Sequence, residues 1–174
     1  MLLVRILIIL VLLTIFYQDN KERAIFWFLF PVLIGLLVAD RFLQHQDIAE
    51  MWQPVAINVG FLIVLLLLVS AWFSLKIGRW VNISNRLLGW GDMLFLLSIA
   101  FYLSVLNFQF FYVCSLVMVL LVWIIWQQFS KIKDKQIPLA GLQAIIFSVF
   151  LASDWWYTHI NITNDDWLLR ILMK

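Results

Sequence analysis

Apolar residues in this chain do not alternate with polar ones. They come in long blocks separated by short polar links. A membrane-spanning helix needs about 20 apolar residues at ~1.5 Å each, and about 17 can suffice. Six blocks meet or approach that length and predict helices over 2–17, 24–42, 55–75, 87–106, 110–126 and 137–153. Pro31 and Gly35 fall inside the second block, and both are tolerated in membrane helices. The link at 76–86 carries Trp80 and three basic residues and reads as an interfacial segment. The link at 107–109, Asn-Phe-Gln, reads as a tight connection. The tail, 154–174, holds Trp155, Trp156 and Trp167 and reads as a segment lying along the membrane surface. No internal repeat or low-complexity linker divides the chain. The pattern predicts one all-α domain over 1–174, a polytopic six-helix transmembrane bundle.

Composition reinforces the pattern. Of 174 residues, 65% are hydrophobic and 13% charged, with a mean hydropathy of +1.00. A soluble domain is about half apolar and about a quarter charged. The expected surroundings are therefore a lipid bilayer, and a net charge of +2 gives no nucleic-acid signal. The lone cysteine, Cys114, excludes an intrachain disulfide and a cysteine-based metal cluster. His45 and His159 sit far apart near block edges and read as interfacial polar residues, so neither a metal nor a cofactor is expected. The apolar start lacks a small-residue cleavage pattern and reads as the first helix, not as a signal peptide.

Charge sets the expected orientation. Lys21, Arg23, Lys76, Arg79, Arg86, Lys131, Lys133 and Lys135, eight of the twelve basic residues, lie in the odd-numbered links. Asp40, Asp47, Glu50, Asp154, Asp165 and Asp166 lie in the second link and the tail, beside only Arg41, Arg170 and Lys174. The positive-inside rule then places the odd links in the cytoplasm and both termini outside a plasma (inner) membrane, with Arg5 as the exception.

Gly89-Trp90-Gly91-Asp92 stands at the mouth of the fourth block, which is otherwise free of charge. A carboxylate entering a membrane helix costs a few kcal/mol and is a functional candidate by default. Two glycines before it leave bare backbone that a helix or a substrate chain can approach. A second acid at the same depth is Asp19, directly after the first block and on the same expected side. Glu22 and Asp134 share that side but are flanked by basic residues. Simpler readings exist for each feature. The glycines suit helix packing, Asp92 suits the first turn of a helix, Asp19 suits a loop beside Lys21, and Pro138 suits an ordinary helix start.

The Gly-x-Gly-Asp spacing of Gly89, Gly91 and Asp92 resembles the signature of the intramembrane aspartyl proteases. The stretch from Phe16 to Ile25 around Asp19 resembles the first catalytic region of the type IV prepilin peptidases within that group. Lys135, then Ile137, Pro138, Leu139, Ala140 and Gly141, resembles the family's late lysine and the opening of its last helix. Leu94 stands where the family usually has lysine, and Phe26 follows Ile25 where it often has proline. The resemblance covers about residues 10 to 150 and is to the minimal peptidase core, without the N-methylation segment.

The resemblance implies an aspartic endopeptidase with Asp19 and Asp92 as the catalytic pair. Gly89, Gly91, Ile137, Pro138, Leu139 and Ala140 would support the pair or bind substrate. It implies as partner a membrane-anchored protein with a short leader and an apolar helix. Two neighbouring carboxyl groups tend to share one proton, which suits them to activate water and polarise a carbonyl together. Two other classes are compatible with the same acids: a small proton-coupled carrier, and a non-catalytic membrane scaffold on the same fold.

Overall fold

The structure, a computed structural model, describes residues 1–44, 48–77, 89–129, 138–158 and 160–173. Ile137, His45, His159, the basic residues Arg79 and Arg86, and the lysines at 131, 133 and 135 lie outside the described residues. Every regular element among the described residues is helical, so the expected all-α class holds. The elements are α1 (Leu2–Glu22), α2 (Leu29–Leu43), α3 (Ile48–Ile77), α4 (Trp90–Ala100), α5 (Val105–Phe129), α6 (Leu139–Ala152) with a π-helical continuation (Ser153–Thr158), and α7 (Asp166–Leu172).

Four stretches, Leu2–Glu22, Met51–Lys76, Val105–Gln127 and Leu139–Tyr157, are long and apolar enough to cross a membrane. The chain is thus a multi-pass membrane protein. Helix α2, with 15 residues, and α4, with 11, are shorter than the ~20 residues of a full crossing.

Several boundaries differ from the pattern-based expectation for identifiable reasons. Helix α1 runs past Tyr17 because Gln18, Lys21 and Glu22 are good helix formers, so the change in polarity does not stop it. It ends at Arg23, whose backbone is left-handed (φ 51°) and whose N–H donates to the Asp19 carbonyl at 3.2 Å. Residues 107–109 are not a connection but lie in the opening turns of α5. The chain turns earlier, at 101–104, where distant side chains catch the carbonyls that α4 leaves unpaired. Asn58 Nδ2 donates to the carbonyls of Ala100 (3.3 Å) and Leu103 (2.9 Å), and an Arg41 guanidinium N–H donates to that of Phe101 (3.3 Å).

The tail is tied to the bundle. It packs on the start of α5 through Asp165, which accepts from Ser104 Oγ (2.6 Å) and the Leu106 N–H (3.0 Å). Trp167 Nε1 donates to Asn107 Oδ1 at 2.9 Å. Asp165 caps α5 from some sixty residues away, at the positively polarised end of that helix.

The core is a four-helix centre flanked by α3 and α5. Helix α1 packs chiefly on α6 and α2, and α4 packs on α2, α3 and α6. On α1 the buried positions are Ile8, Leu12, Ile15 and Asp19, spaced by four, three and four. They form one stripe on a helix that is otherwise apolar toward lipid. Phe95 of α4 and Phe111 of α5 both meet Phe147 of α6 edge-on, at 6.3 and 5.3 Å. This plug fills the middle of the bundle, with the buried acids Asp40 and Asp19 at opposite ends of it.

Candidate active site

The expected partners Asp19 and Asp92 come together, but not through direct packing of α1 on α4. They meet at the first turn of α6. Pro138 caps that helix. Its opening amides therefore have no partner within α6 and point out of the helix end. The Gly141 N–H donates to Asp19 Oδ2 at 2.6 Å, and the Ala140 N–H donates to Asp92 Oδ1 at 2.7 Å. Adjacent helical amide nitrogens lie about 3 Å apart, so the two accepting oxygens are at most about 8 Å from one another. The two acids are within electrostatic reach of each other.

Asp19 occupies the last turn of α1, the negatively polarised end of its own helix, where a carboxylate gains nothing from the backbone. The α6 terminus supplies the opposite polarity. Gly141 makes that approach possible. A Cβ there would lie 2.9 Å from Asp19 Cβ and 3.0 Å from its Oδ2, closer than real Cβ atoms approach.

Asp92 divides its two oxygens. Oδ2 accepts from the Gly89 N–H at 3.1 Å, closing the first turn of α4 as an N3 acid does. Oδ1 is left to reach α6. The first-turn capping role of Asp92 therefore uses one oxygen and leaves the other for the contact with α6.

The two glycines differ in how open they are. Gly91 is covered by a side chain: a Cβ there would meet Ile25 Cδ1 at 3.1 Å. Ile25 belongs to the α1–α2 connection, which is also held by Gln18 Oε1 accepting from the Phe26 N–H at 3.1 Å. That connection is tied to the residue before each aspartate. Gly89 is exposed, as is Trp90, and Asp92 is half-buried while Asp19 is buried.

Pro138 and Leu139 are half-buried and Ala140 is fully buried, all in the turn that holds the acids. Leu94, at the position of the family's lysine, packs against the core. Gly141 and Gln18 were missed as site residues by sequence reasoning. A small residue directly after Ala140 was the available signal for Gly141. Nothing in the sequence points to Gln18. Among the described residues no cluster of three or more metal-ligating side chains occurs.

Backbone amides fix these carboxylates in place without providing an exchangeable proton, and Arg23 lies within electrostatic range of Asp19. Two acids held near one another by a neighbouring helix can hold one proton between them and a water or carbonyl in front of them. Comparison with known proteins adds no relative: no protein-family model, no curated protein and no solved structure matches the chain.

Proposed function

We propose that the chain is a membrane-embedded aspartic endopeptidase of the prepilin-peptidase type, with Asp19 and Asp92 as its catalytic dyad. The observation that carries the reading is the convergence of the two acids on the adjacent amides of Ala140 and Gly141, from helices that are not principal neighbours. Packing alone does not require two acids at one helix terminus.

In this reading the ionised member of the pair takes a proton from water. The resulting hydroxide attacks the scissile carbonyl, and the protonated member hydrogen-bonds its oxygen. The proton then passes to the leaving amine. Neither role is fixed to one residue, since the pair titrates as a unit. The substrate is a membrane-anchored protein with a short polar leader before an apolar helix, cut at the cytoplasmic face of the plasma (inner) membrane. The exposure of Gly89 and Trp90 beside Asp92 supports access by such a leader. A proton carrier would need a polar path between the ends of the bundle, and the fully buried Phe95, Ile99 and Phe147 occupy that middle.

The direct test is co-expression with leader-bearing pilin-like proteins and mass analysis of their N-termini. A shortened N-terminus that depends on Asp92 supports the reading. Full processing by Asp92→Asn removes it. Orientation is tested by fusing a reporter that works only outside the cytoplasm after Met173. A silent reporter there overturns the placement of both termini outside.

A further inference from the structure

Both acids stand in terminal turns, Asp19 in the last turn of α1 and Asp92 in the first turn of α4. Terminal turns leave backbone groups without intrahelical partners, and they open more readily than helix interiors. The amides of Ala140 and Gly141 hold the two acids only while each acid's own turn keeps its place.

The connection between α1 and α2, residues 23–28, touches both turns. On the α1 side the Arg23 N–H donates to the Asp19 carbonyl at 3.2 Å, and Gln18 Oε1 accepts from the Phe26 N–H at 3.1 Å. On the α4 side Ile25, between those two ties, covers Gly91. A Cβ built on Gly91 would lie 3.1 Å from Ile25 Cδ1, 3.7 Å from its Cγ1 and 3.9 Å from its Cβ. Ile25 also packs against the core, whereas Phe26 is exposed. Water would satisfy the Phe26 N–H equally well at that exposure, so what Gln18 adds is a fixed position. One short segment is thus fastened to the residue before Asp19 and to the residue before Asp92.

We propose that Gln18 and Ile25 are positioning residues for the acid pair, making the 23–28 connection a brace that sets the last turn of α1 against the first turn of α4. The inference rests on the dyad reading for its effect on catalysis, but the brace is measurable without cleavage. A brace stays shut through the reaction, which separates it from a gate that must swing away.

The test uses the full chain in lipid vesicles and a synthetic peptide with a polar leader and an apolar helix. Gln18→Met keeps the length of the side chain and loses the acceptor. Hydrogen exchange at the Ala140 and Gly141 amides, which report the seating of the acids, should quicken about fivefold, with exchange at Phe147 in the same helix unchanged. The kcat should fall about fivefold with KM within about twofold of the parent, since the acids are misplaced and the substrate contacts are not. Ile25→Ala should act alike. The double variant Gln18→Met/Ile25→Ala should lose little more than the worse single one, because either change frees the same segment. Rescue separates positioning from general support. The 3.9 Å between Cβ positions 25 and 91 suits a disulfide. In a Cys114→Ser/Gln18→Met chain, Ile25→Cys/Gly91→Cys should regain most of the lost kcat and the slow amide exchange after oxidation, and lose both on reduction.

Unchanged exchange in Gln18→Met overturns the brace, whatever the cleavage. Unchanged kcat in a chain that cleaves overturns the positioning role even where exchange quickens. A chain that cleaves when reduced and stops when the 25–91 disulfide forms makes the connection a gate and overturns the proposal as well. Quickened exchange in Gln18→Met, beside a parent that never cleaves, sinks the dyad reading and keeps the brace.

Discussion

Each end of the bundle buries acid, and the two ends treat it in opposite ways. At one end Asp40, fully buried, accepts from Arg5 Nε (3.3 Å), Gln44 Nε2 (2.6 Å) and Tyr102 Oη (2.9 Å). Trp155 Nε1 donates to the Tyr102 hydroxyl at 3.3 Å, and the Arg5 guanidinium lies 5.0 Å from the Trp155 ring. The π-helical continuation of α6 is what brings Trp155 into this cluster. Both oxygens of Asp40 are taken by side chains, and one donor is a cation. At the other end, about 21 Å along α1 from Arg5, Asp19 and Asp92 receive their hydrogen bonds from backbone amides. A carboxylate with a fixed cation and full donors is a fastener. Two carboxylates brought near one another by adjacent amides of a third helix have no such side-chain fastening among the described residues, and the proposed dyad chemistry rests on that difference. The same residue type serves structure at one end and is available for chemistry at the other.

The largest expected effect comes from the amide-held end. Asp19→Asn, Asp92→Asn and the double variant should each reduce leader cleavage by roughly a thousandfold or more, and the losses should not add. Insertion should persist, because asparagine is cheaper to bury than an ionised carboxylate and has nearly the same shape. The parent should show a bell-shaped pH–rate profile measured on purified protein with a peptide substrate. Additive losses would mean that the acids do not work as a pair. Full cleavage by either single variant would leave a scaffold.

Asp40→Asn tests the fastener. Breaking a buried ion pair from one side leaves the other charge without its partner, here a loss of about 3 kcal/mol. Denaturation in detergent should show that loss while kcat of the surviving folded protein stays near the parent value. A selective fall in kcat instead would make the two ends chemically alike. Gly141→Ala comes next. Its methyl would push Asp19 from the amide that holds it. A shift of about 1 Å in a reacting group can cost about a hundredfold in rate. Cleavage should fall that far, and Tm should fall as well, because the nearest atom is Asp19 Cβ, which moves only with α1, and overpacking costs about 1–3 kcal/mol.

How much of this was legible varies from element to element for physical reasons. The helical class, the membrane setting and the nearness of Asp19 and Asp92 follow from block lengths and shared depth. The buried stripe Ile8, Leu12, Ile15, Asp19 was not readable as a stripe, because α1 is apolar on every face and shows no contrast. Asp40 falls at the end of the predicted helix 24–42 and counts only as one of the acids on the outer side, with no sign of a structural role. Its burial depends on Arg5, thirty-five residues earlier, and Tyr102, sixty-two later. The break between α4 and α5 carries no glycine or proline at 101–104. It is made by Asn58, Arg41 and Asp165, which no local reading connects. Helix α6 as the element that joins the two acids was equally hidden. Its opening resembles a family landmark, but an amide terminus advertises no partner in sequence.

The smallest expected effect is the most discriminating for the glycines. Gly91 belongs to the Gly-x-Gly-Asp spacing, and the sequence suggests bare backbone open to a substrate. In the fold Ile25 covers it. A methyl at position 91 would meet only the far end of that flexible side chain, at 3.1 Å, where a few tenths of an ångström relieve the contact. Alanine also favours helix over glycine by up to about 1 kcal/mol, less in a first turn. Gly91→Ala should therefore change stability by no more than about 0.5 kcal/mol and cleavage by less than about threefold. Ile25→Val removes the touching methyl group, so the double variant Ile25→Val/Gly91→Ala should recover whatever small loss appears. If Gly91→Ala instead falls as far as Gly141→Ala and Ile25→Val does not restore it, substrate passes over residue 91. The cover by Ile25 must then open during the reaction, and the amide-held end is movable where the Asp40 end is fixed.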